Sequence, residues 1–209
     1  MIRVAIVDDH AIVRTGLRQF LSEHVDLRVT GEAGNGNEAL ELARKGDVDV
    51  LLLDLSMPDQ GGVDALAAIK ARFPELAVLI LSGFPESHYA AIMLRKGADG
   101  YLNKECDPVE IVTAIRTVAR GRRYVSSAVA EMLAADGGGG DRLPHESLSE
   151  RELQVFLRLA MGETVGHIAE AMFLSVKTVS TYRSRVLEKF KKVSNSELTY
   201  YALKNGLIQ

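Results

Sequence analysis

The alternation of short apolar runs with amphipathic stretches in the first 120 residues restricts the possible fold more than any other feature of this chain. Short β-rich segments, each a candidate for one strand, occur at 2–7, 27–33, 48–54, 77–82 and 100–102, and several of them are nearly unbroken runs of Val, Ile and Leu. Helical patterns separate these runs, at 11–22, 36–45, 62–72, 86–96 and 108–120. Apolar strands of this kind are typical of a parallel sheet covered by helices on both faces. The pattern therefore predicts an α/β domain with a doubly wound, five-stranded parallel sheet, in which ligands bind beyond the carboxyl ends of the strands.

The rest of the chain follows a different pattern, with helical periodicity and no strand signal. A short helix is expected at about 126–135, and four consecutive glycines at 137–140 predict a flexible linker. The last part, 148–209, is expected to form four short helices. We therefore predict a first domain at 1–121, a linker with a short helix and a Gly-rich segment at 122–147, and an all-α domain at 148–209.

The charge of the chain is divided unevenly between these parts. The whole chain has a net charge of −3, but residues 1–121 hold 13 Lys and Arg against 18 Asp and Glu, a net of −5. Residues 122–209 hold 12 against 10, a net of +2. Six basic residues and one acidic residue, Glu188, lie within 171–193; the basic residues are Lys177, Arg183, Arg185, Lys189, Lys191 and Lys192. This division indicates that the second domain binds a polyanion.

Composition and the N-terminal sequence favour a cytoplasmic protein with no membrane partner. The chain is 47% hydrophobic and 25% charged, which is typical of globular proteins. Its first residues lack the basic region and apolar core of a signal peptide, and no apolar run approaches the roughly 20 residues of a membrane span. The single cysteine, Cys106, excludes an internal disulfide and fits a reducing compartment.

Polar residues stand where the predicted strands end. The first strand ends in Asp8 and Asp9, the third in Asp54 and the fourth in Ser82, and Lys104 follows the fifth. Because the carboxyl ends of parallel strands share one edge of a sheet, these five side chains are expected to converge. Three close carboxylates repel one another unless a cation lies among them, and oxygen ligands favour Mg²⁺. A carboxylate beside Mg²⁺, a lysine and a hydroxyl can attack a phosphoryl group. Singly, each of these residues could be a turn former or a helix cap.

These motifs resemble the receiver domains of two-component response regulators over the whole of 1–120. The matching segments are VDDH (7–10), LLLDLSMPDQGG (51–62), LILS (79–82) and GYLNK (100–104). The resemblance implies a flavodoxin-like receiver that a sensor histidine kinase or a phosphorelay protein phosphorylates on Asp54. It also implies Mg²⁺ binding by Asp9, by Asp8 largely through water, by Asp54 and by the backbone carbonyl of Ser56. Ser82 would hydrogen-bond the phosphoryl group, and Lys104 would pair with it.

The resemblance also bears on the interpretation of three further residues near these motifs. Tyr101 matches the aromatic residue that turns inward on activation, although an ordinary strand aromatic with an exposed hydroxyl is an equal alternative. Glu105 replaces a proline found in many receivers, so the cis peptide expected there is in doubt. His10 is not expected to bind the metal, because the oxygen ligands suffice.

The segment from Leu148 to Phe190 has the pattern of a helix-turn-helix. Ser149 precedes a helix with apolar residues at Leu153, Phe156, Leu157 and Ala160, and Gly162 ends it. A short helix, VGHIAEAM, leads to the turn Phe173-Leu174-Ser175, and Ser175 caps a long helix. The apolar face of that helix is expected to comprise Val176, Val179, Val186, Leu187 and Phe190. The opposite face, suited to the major groove, is expected to present Lys177, Thr181, Ser184, Arg185 and Glu188.

This region resembles the LuxR-type helix-turn-helix of the NarL/FixJ regulators from Leu148 to about Ile208. The match rests on L-S-x-R-E-L, I-A-x-x-M-x-L-S-x-K-T-V and A-L-K-N-G-L, and T-V-S-T-Y-R-S-R resembles the GacA/UvrY-like branch. The resemblance implies a homodimer on double-stranded promoter DNA. The family positions that reach bases fall on Ser180, Thr181 and Ser184. Lysines are common in the family at the first and last of these, where this chain has serines. Recognition of base sequence is therefore expected to depend more on Arg185 and Lys177. The full expected set of DNA contacts is Lys177, Thr178, Ser180, Thr181, Ser184 and Arg185.

The sequence favours a phosphorylation-controlled transcription regulator that is not a metabolic enzyme. Two other functions are alternatives to this interpretation. A haloacid-dehalogenase-type phosphatase also uses an aspartate nucleophile, but it needs a second acid two residues later, where this chain has Ser56. A regulator that works without phosphorylation would not need the five-residue site.

Overall fold

The computed structural model describes residues 1–57, 62–84, 86–126, 129–131 and 143–208 of the 209-residue chain. The chain divides into two compact units, Met1–Glu131 and Met132–Gln209. Each has its own apolar core, and each is described by itself.

The first unit contains a five-stranded, all-parallel sheet. Its strands are β1 (Ile2–Val7), β2 (Leu27–Ala33), β3 (Val50–Leu53), β4 (Ala77–Ser82) and β5 (Gly100–Asn103). They lie in the order β2-β1-β3-β4-β5. The chain therefore adds β2 on one side of β1 and then adds β3, β4 and β5 on the other side. The predicted doubly wound α/β fold is therefore confirmed. Strand β3 is shorter than the predicted 48–54: Asp49 donates its main-chain N–H to Arg3 outside the β1–β3 ladder.

Each strand is followed by a helix. Four helices connect the strands, α1 (Ala11–Ser22), α2 (Gly36–Lys45), α3 (Gly62–Arg72) and α4 (Glu86–Arg95), and α5 (Pro108–Val118) follows β5. Their ends follow from local chemistry. The side chain of Asn35 accepts a hydrogen bond from the Glu38 N–H at the start of α2, and Gly46 ends that helix at φ 73°. Asp107 caps α5 in the same way, with a proline in the first turn.

Helices cover both faces of the sheet, which explains the unbroken apolar strands. All four residues of β3 and all six of β4 are buried. One face forms a cluster of Val4, Ile6, Leu52 and Leu79 against Ile115 and Val118 of α5. With both faces packed, only the strand ends are left for polar chemistry.

The second unit is helical throughout its described residues. A 3₁₀ turn (Pro144–Ser147) precedes α6 (Glu150–Ala160), α7 (Val165–Ala171), α8 (Val176–Phe190) and α9 (Asn195–Lys204). Ser149 and Glu152 form a reciprocal capping box at the start of α6, and Ser175 caps α8 through the Thr178 N–H. The predicted all-α domain of four helices is confirmed. The 3₁₀ turn lies in the segment predicted as linker.

The structure differs from the expectation at Val176 and describes only part of the helix expected at 126–135. Val176 is expected on the apolar face of α8, but at the first position of the helix it is 56% exposed, whereas Val179 and Val186 are fully buried. Of the helix expected at 126–135, only 129–131 are described as helical, and the Gly-rich segment at 137–140 lies outside the described residues. No described helix combines the length and apolar character that a membrane crossing requires.

Candidate functional site: an acidic cleft and a recognition helix

Parallel pairing of β1 and β3 brings two aspartates to one edge of the sheet. Val7 pairs with Leu53, so the next residues, Asp8 and Asp54, leave adjacent strands side by side. Each is only 2% exposed. Buried carboxylates this close require a positive charge nearby, because neither can rely on water.

Lys104 supplies that charge. It follows β5, and its Nζ lies 2.6 Å from Asp8 Oδ2 and 2.9 Å from Asp54 Oδ2. Burial alone would lower the pKa of Lys104, but its hydrogen bonds to Asp54 and Asp8 raise the pKa above the ordinary value. Burial raises the pKa of Asp54, against the opposing effect of Lys104. The ammonium group therefore stays protonated between the two buried carboxylates.

Asp9 and His10 complete the cluster. Ligand atoms of Asp8, Asp9, His10 and Asp54 all lie within 4.8 Å of one another, which is the spacing of a metal-binding group. His10 Nδ1 lies 3.2 Å from Asp8 Oδ1 and 2.8 Å from Asp9 Oδ1. His10, which is not an expected metal ligand, therefore lies beside the three aspartates. Asp54 Oδ1 is buried with no hydrogen-bond partner among the described residues, and Asp9 Oδ1 has no partner with hydrogen-bond geometry. The donor set and these two unsatisfied oxygens fit a cation.

Of the remaining predicted receiver residues, Ser82 ends β4, Tyr101 lies within β5 and Ser56 follows β3. Ser82 is completely buried, and its Oγ accepts a hydrogen bond from the Phe84 N–H at 3.3 Å. Tyr101 is 1% exposed, and its hydroxyl donates to the Phe84 carbonyl at 2.8 Å, so its hydroxyl is inside the protein and not in solvent. The peptide bond between Lys104 and Glu105 is trans, as are all peptide bonds of the described residues. Ser56 is half-buried two residues after Asp54, and its nearby main-chain N–H lowers the pKa of that aspartate.

Two residues that support the site were not identified by role from the sequence. Arg14 of α1 donates to the main-chain carbonyl of Asp8 at 2.6 Å and pairs with Glu32 of β2 at 3.5 Å. Gly62, recognised only as part of a motif, lies so close to Asp54 that a Cβ would overlap its main-chain carbonyl. The only sequence signal for Arg14 is a basic residue one turn into the helix that follows the acidic pair.

Helix α8 carries the predicted DNA contacts. Lys177, Ser180, Thr181, Ser184 and Arg185 are all exposed. The three hydroxyls donate to carbonyls one turn earlier in the helix, at 2.8, 3.0 and 3.1 Å. Thr178 is different, because it is half-buried and its hydroxyl lies 2.8 Å from the capping Ser175 hydroxyl. Five of the six side chains thus share an accessible surface.

Three of the six basic residues within 171–193 form hydrogen bonds or ion pairs with other residues of the second unit. Lys189 donates to Glu152 Oε2 at 2.6 Å and to the Ser147 carbonyl at 3.2 Å. Burial alone would raise the pKa of Glu152, but the hydrogen bond from Lys189 and the Ser149 N–H hold it below the ordinary 4.5. Arg183 Nε donates to Asn195 at 2.7 Å, and Lys192 lies 3.8 Å from Glu197. The basic side chains without such a partner among the described residues are Lys177, Arg185 and Lys191.

Known sequence families match both units. The family described as response regulator receiver domain matches residues 4–116, and the family described as bacterial regulatory proteins, luxR family, matches residues 146–202. The chain belongs to the two-component response regulators with a receiver domain and a LuxR-type DNA-binding domain.

Individual proteins within this family are similar to the chain over nearly its whole length. Response regulator UvrY of Escherichia coli K12 is 39% identical over 209 residues, covering 99% of this chain and 96% of that protein. Response regulator GacA of Pseudomonas aeruginosa is 38% identical over 210 residues, covering 100% and 98%. RcsB of Salmonella enterica serovar Typhimurium, solved on the promoter rprA with the phosphomimetic BeF₃⁻, has a TM-score of 0.61 at 28% identity and covers 96% of this chain and 97% of that one. The resemblance to the GacA/UvrY-like branch is thus confirmed.

Proposed function

We propose that the receiver unit accepts a phosphoryl group on Asp54 from a sensor histidine kinase, a phosphorelay protein or a small phosphodonor, and that this controls promoter binding by the second unit. One observation carries the proposal. Asp54 is buried, one carboxylate oxygen is held by Lys104, and the other has no hydrogen-bond partner among the described residues. An oxygen left unsatisfied in this way is a better nucleophile than one that is already hydrogen-bonded.

In the transfer, an Asp54 oxygen forms a bond to phosphorus while the bond from phosphorus to the donor histidine nitrogen breaks. The electron pair of that bond leaves with the imidazole. Lys104 lies close enough to donate to a phosphoryl oxygen, and it already carries the positive charge that the added negative charge requires. Hydrolysis returns Asp54 to the carboxylate, so the unit acts as a switch that catalyses its own phosphorylation and dephosphorylation.

Mg²⁺ is the cation that this donor set fits best. Asp8, Asp9 and Asp54 with the Ser56 carbonyl would hold it, because carboxylate and carbonyl oxygens suit a hard divalent ion. When bound, Mg²⁺ neutralises charge on the phosphoryl oxygens. Arg14 holds the main-chain carbonyl of Asp8 and so orients the loop that carries both acidic residues.

Ser82 and Tyr101 are proposed to report phosphorylation to the rest of the receiver. Both hydroxyls lie in the buried region around Phe84, whose N–H and carbonyl bind them. A phosphoryl group on Asp54 would compete for the Ser82 hydroxyl and alter these hydrogen bonds. The loop after β4 would then shift relative to β5.

Mass spectrometry after incubation with acetyl phosphate and MgCl₂ tests the phosphorylation site. The wild-type chain is expected to gain one phosphoryl group, and Asp54→Asn none. Asp64→Asn, which changes an exposed aspartate on α3, is the matched control and should be labelled normally. Labelling of Asp54→Asn at the wild-type level would refute the assignment.

We also propose that α8 enters the major groove and that the protein binds two related half-sites as a homodimer. The exposed surface of Lys177, Thr181, Ser184 and Arg185 supports entry of α8 into the groove. The ion pair of Lys189 with Glu152 leaves that lysine bound within the unit. Tyr200 and Leu203 of α9 are 69% and 50% exposed and offer apolar area to a second copy.

Binding to duplexes selected from a random-sequence pool tests this arrangement. Arg185→Ala is expected to change the selected sequence, and Lys177→Ala to weaken all duplexes alike and reduce the salt slope by about one unit. Lys204→Ala, an exposed lysine outside α8, is the control. Unchanged sequence and affinity in both α8 variants would show that another face meets DNA.

A further inference from the structure

Three arginines lie within four residues at the end of the receiver unit. Arg120, Arg122 and Arg123, called here the arginine cluster, are all exposed. None forms an ion pair or a side-chain hydrogen bond with any residue in the described part of the chain. The contrast with neighbouring arginines is clear, because Arg116 binds Asp26 through two hydrogen bonds of 2.8 Å.

The backbone around the cluster is well defined. Gly121 has φ 72°; its N–H donates to the Val118 carbonyl, and the Arg122 N–H donates to the Thr117 carbonyl. This pair of bonds is the usual way to end a helix with a left-handed glycine. The next residue after the cluster, Tyr124, donates to the Asp99 carbonyl at 2.9 Å and bridges Gly100 of β5. The arginines therefore stand on a rigid turn between α5 and the sheet edge.

Their charge is opposite to that of the unit that carries them. Residues 1–121 have a net charge of −5, whereas the cluster holds three positive charges in four positions. The C-terminal end of a helix favours one nearby cation, which accounts for Arg120. It does not account for Arg122 and Arg123, which lie beyond the helix and have no carboxylate partner among the described residues.

We propose that the arginine cluster binds the phosphate backbone of DNA beside the site that α8 reads. This rests on the proposed function of the second unit, and adds phosphate contacts from the receiver. The receiver unit extends to Glu131 and the 3₁₀ turn of the second unit begins at Pro144, and the 12 residues between them span at most ~43 Å. Duplex DNA next to a bound half-site, within ~35 Å per helical turn, is therefore within reach. Guanidinium groups suit phosphate oxygens because they donate two parallel hydrogen bonds.

The test compares salt dependence of binding by full-length variants. Arg122→Gln/Arg123→Gln leaves the helix end at Arg120 unchanged. Arg28→Gln/Arg72→Gln removes the same charge from two exposed arginines elsewhere on the receiver, which also have no ion pair in the described part of the chain. The probes are a duplex that the wild-type chain selects from a random-sequence pool and a duplex of unrelated sequence.

Each lost phosphate contact reduces the slope of log K against log salt by about 0.9, so the cluster variant should lose about 2 units. Its deficit against the wild type should shrink about tenfold between roughly 50 and 200 mM salt. Both duplexes should weaken equally, and the control should keep the wild-type slope. A wild-type slope in the cluster variant, or an equal loss in the control, would overturn the proposal while leaving sequence selection intact. Failure of the wild-type chain to select any duplex would overturn the proposed function as well.

Discussion

Replacement of Lys104 by methionine tests how far the acidic cluster depends on a single cation. The substitution keeps the length of the side chain and removes contacts of 2.6 Å to Asp8 and 2.9 Å to Asp54. Removing one partner of a buried ion pair costs about 3–5 kcal/mol. The Lys104 side chain is 24% exposed, so water reduces this loss, and we expect the lower end of that range. For a unit of this size, about 3 kcal/mol lowers the Tm by roughly 10 °C.

Urea denaturation at pH 7 in the presence of EDTA measures this loss without divalent cations. Lys45→Met is the matched control, because Lys45 is exposed at the end of α2, and it should change stability by less than about 0.5 kcal/mol. Adding Asp54→Asn to Lys104→Met neutralises one of the two uncompensated carboxylates. The double variant should therefore be more stable than the sum of the single effects predicts, by about 1–3 kcal/mol.

Two results would refute the reasoning. A loss below about 1 kcal/mol in Lys104→Met would mean that water, and not the lysine, compensates the carboxylates. Strict additivity in the double variant would mean that Lys104 and Asp54 do not interact despite their separation of 2.9 Å.

Three other substitutions test separate parts of the structure by urea denaturation. Glu152→Gln should cost about 2 kcal/mol at pH 7 by breaking the pair with Lys189. The pKa of Glu152 in the folded protein lies below 4.5, so its stabilising effect is present above pH 4.5 and is lost as pH falls through the folded pKa. The variant should therefore lose less stability than the wild type below pH 4.5. Equal acid sensitivity of the two proteins would contradict the lowered pKa. Phe173→Asn should stabilise the second unit by about 1 kcal/mol, since Phe173 is 97% exposed at φ 54°; a loss would mean that its ring makes unrecognised contacts. Gly62→Ala should cost at least about 2 kcal/mol and reduce labelling of Asp54, because its Cβ would overlap the Asp54 carbonyl; normal labelling would show that the loop adapts.

The features that could be predicted are those with a local cause. Strand and helix positions follow from hydrophobic period, and helix ends follow from capping residues such as Asn35, Ser149 and Ser175. The acidic residues at strand ends were placed in one cleft because parallel strands end at one edge. Phe173 had no such signal, because a left-handed residue is normally glycine or asparagine. Val176 fits the apolar period of α8, yet its side chain is 56% exposed, because the apolar core covers that helix only from Val179 onward.

The sequence by itself determined the two-unit organisation, the parallel sheet and the identities of the residues at its carboxyl edge, because hydrophobic period and the residues that follow each strand are local features of the chain. Only the tertiary structure decided which charged groups meet. Lys104 reaches Asp8 across 96 residues, and Lys189 reaches Glu152 across 37. The second pairing binds one of the six basic residues within 171–193 to an acidic partner outside that segment. Whether a charge is free to bind a ligand or is held by another side chain depends on distances of a few ångströms between distant segments, and packing alone sets those distances.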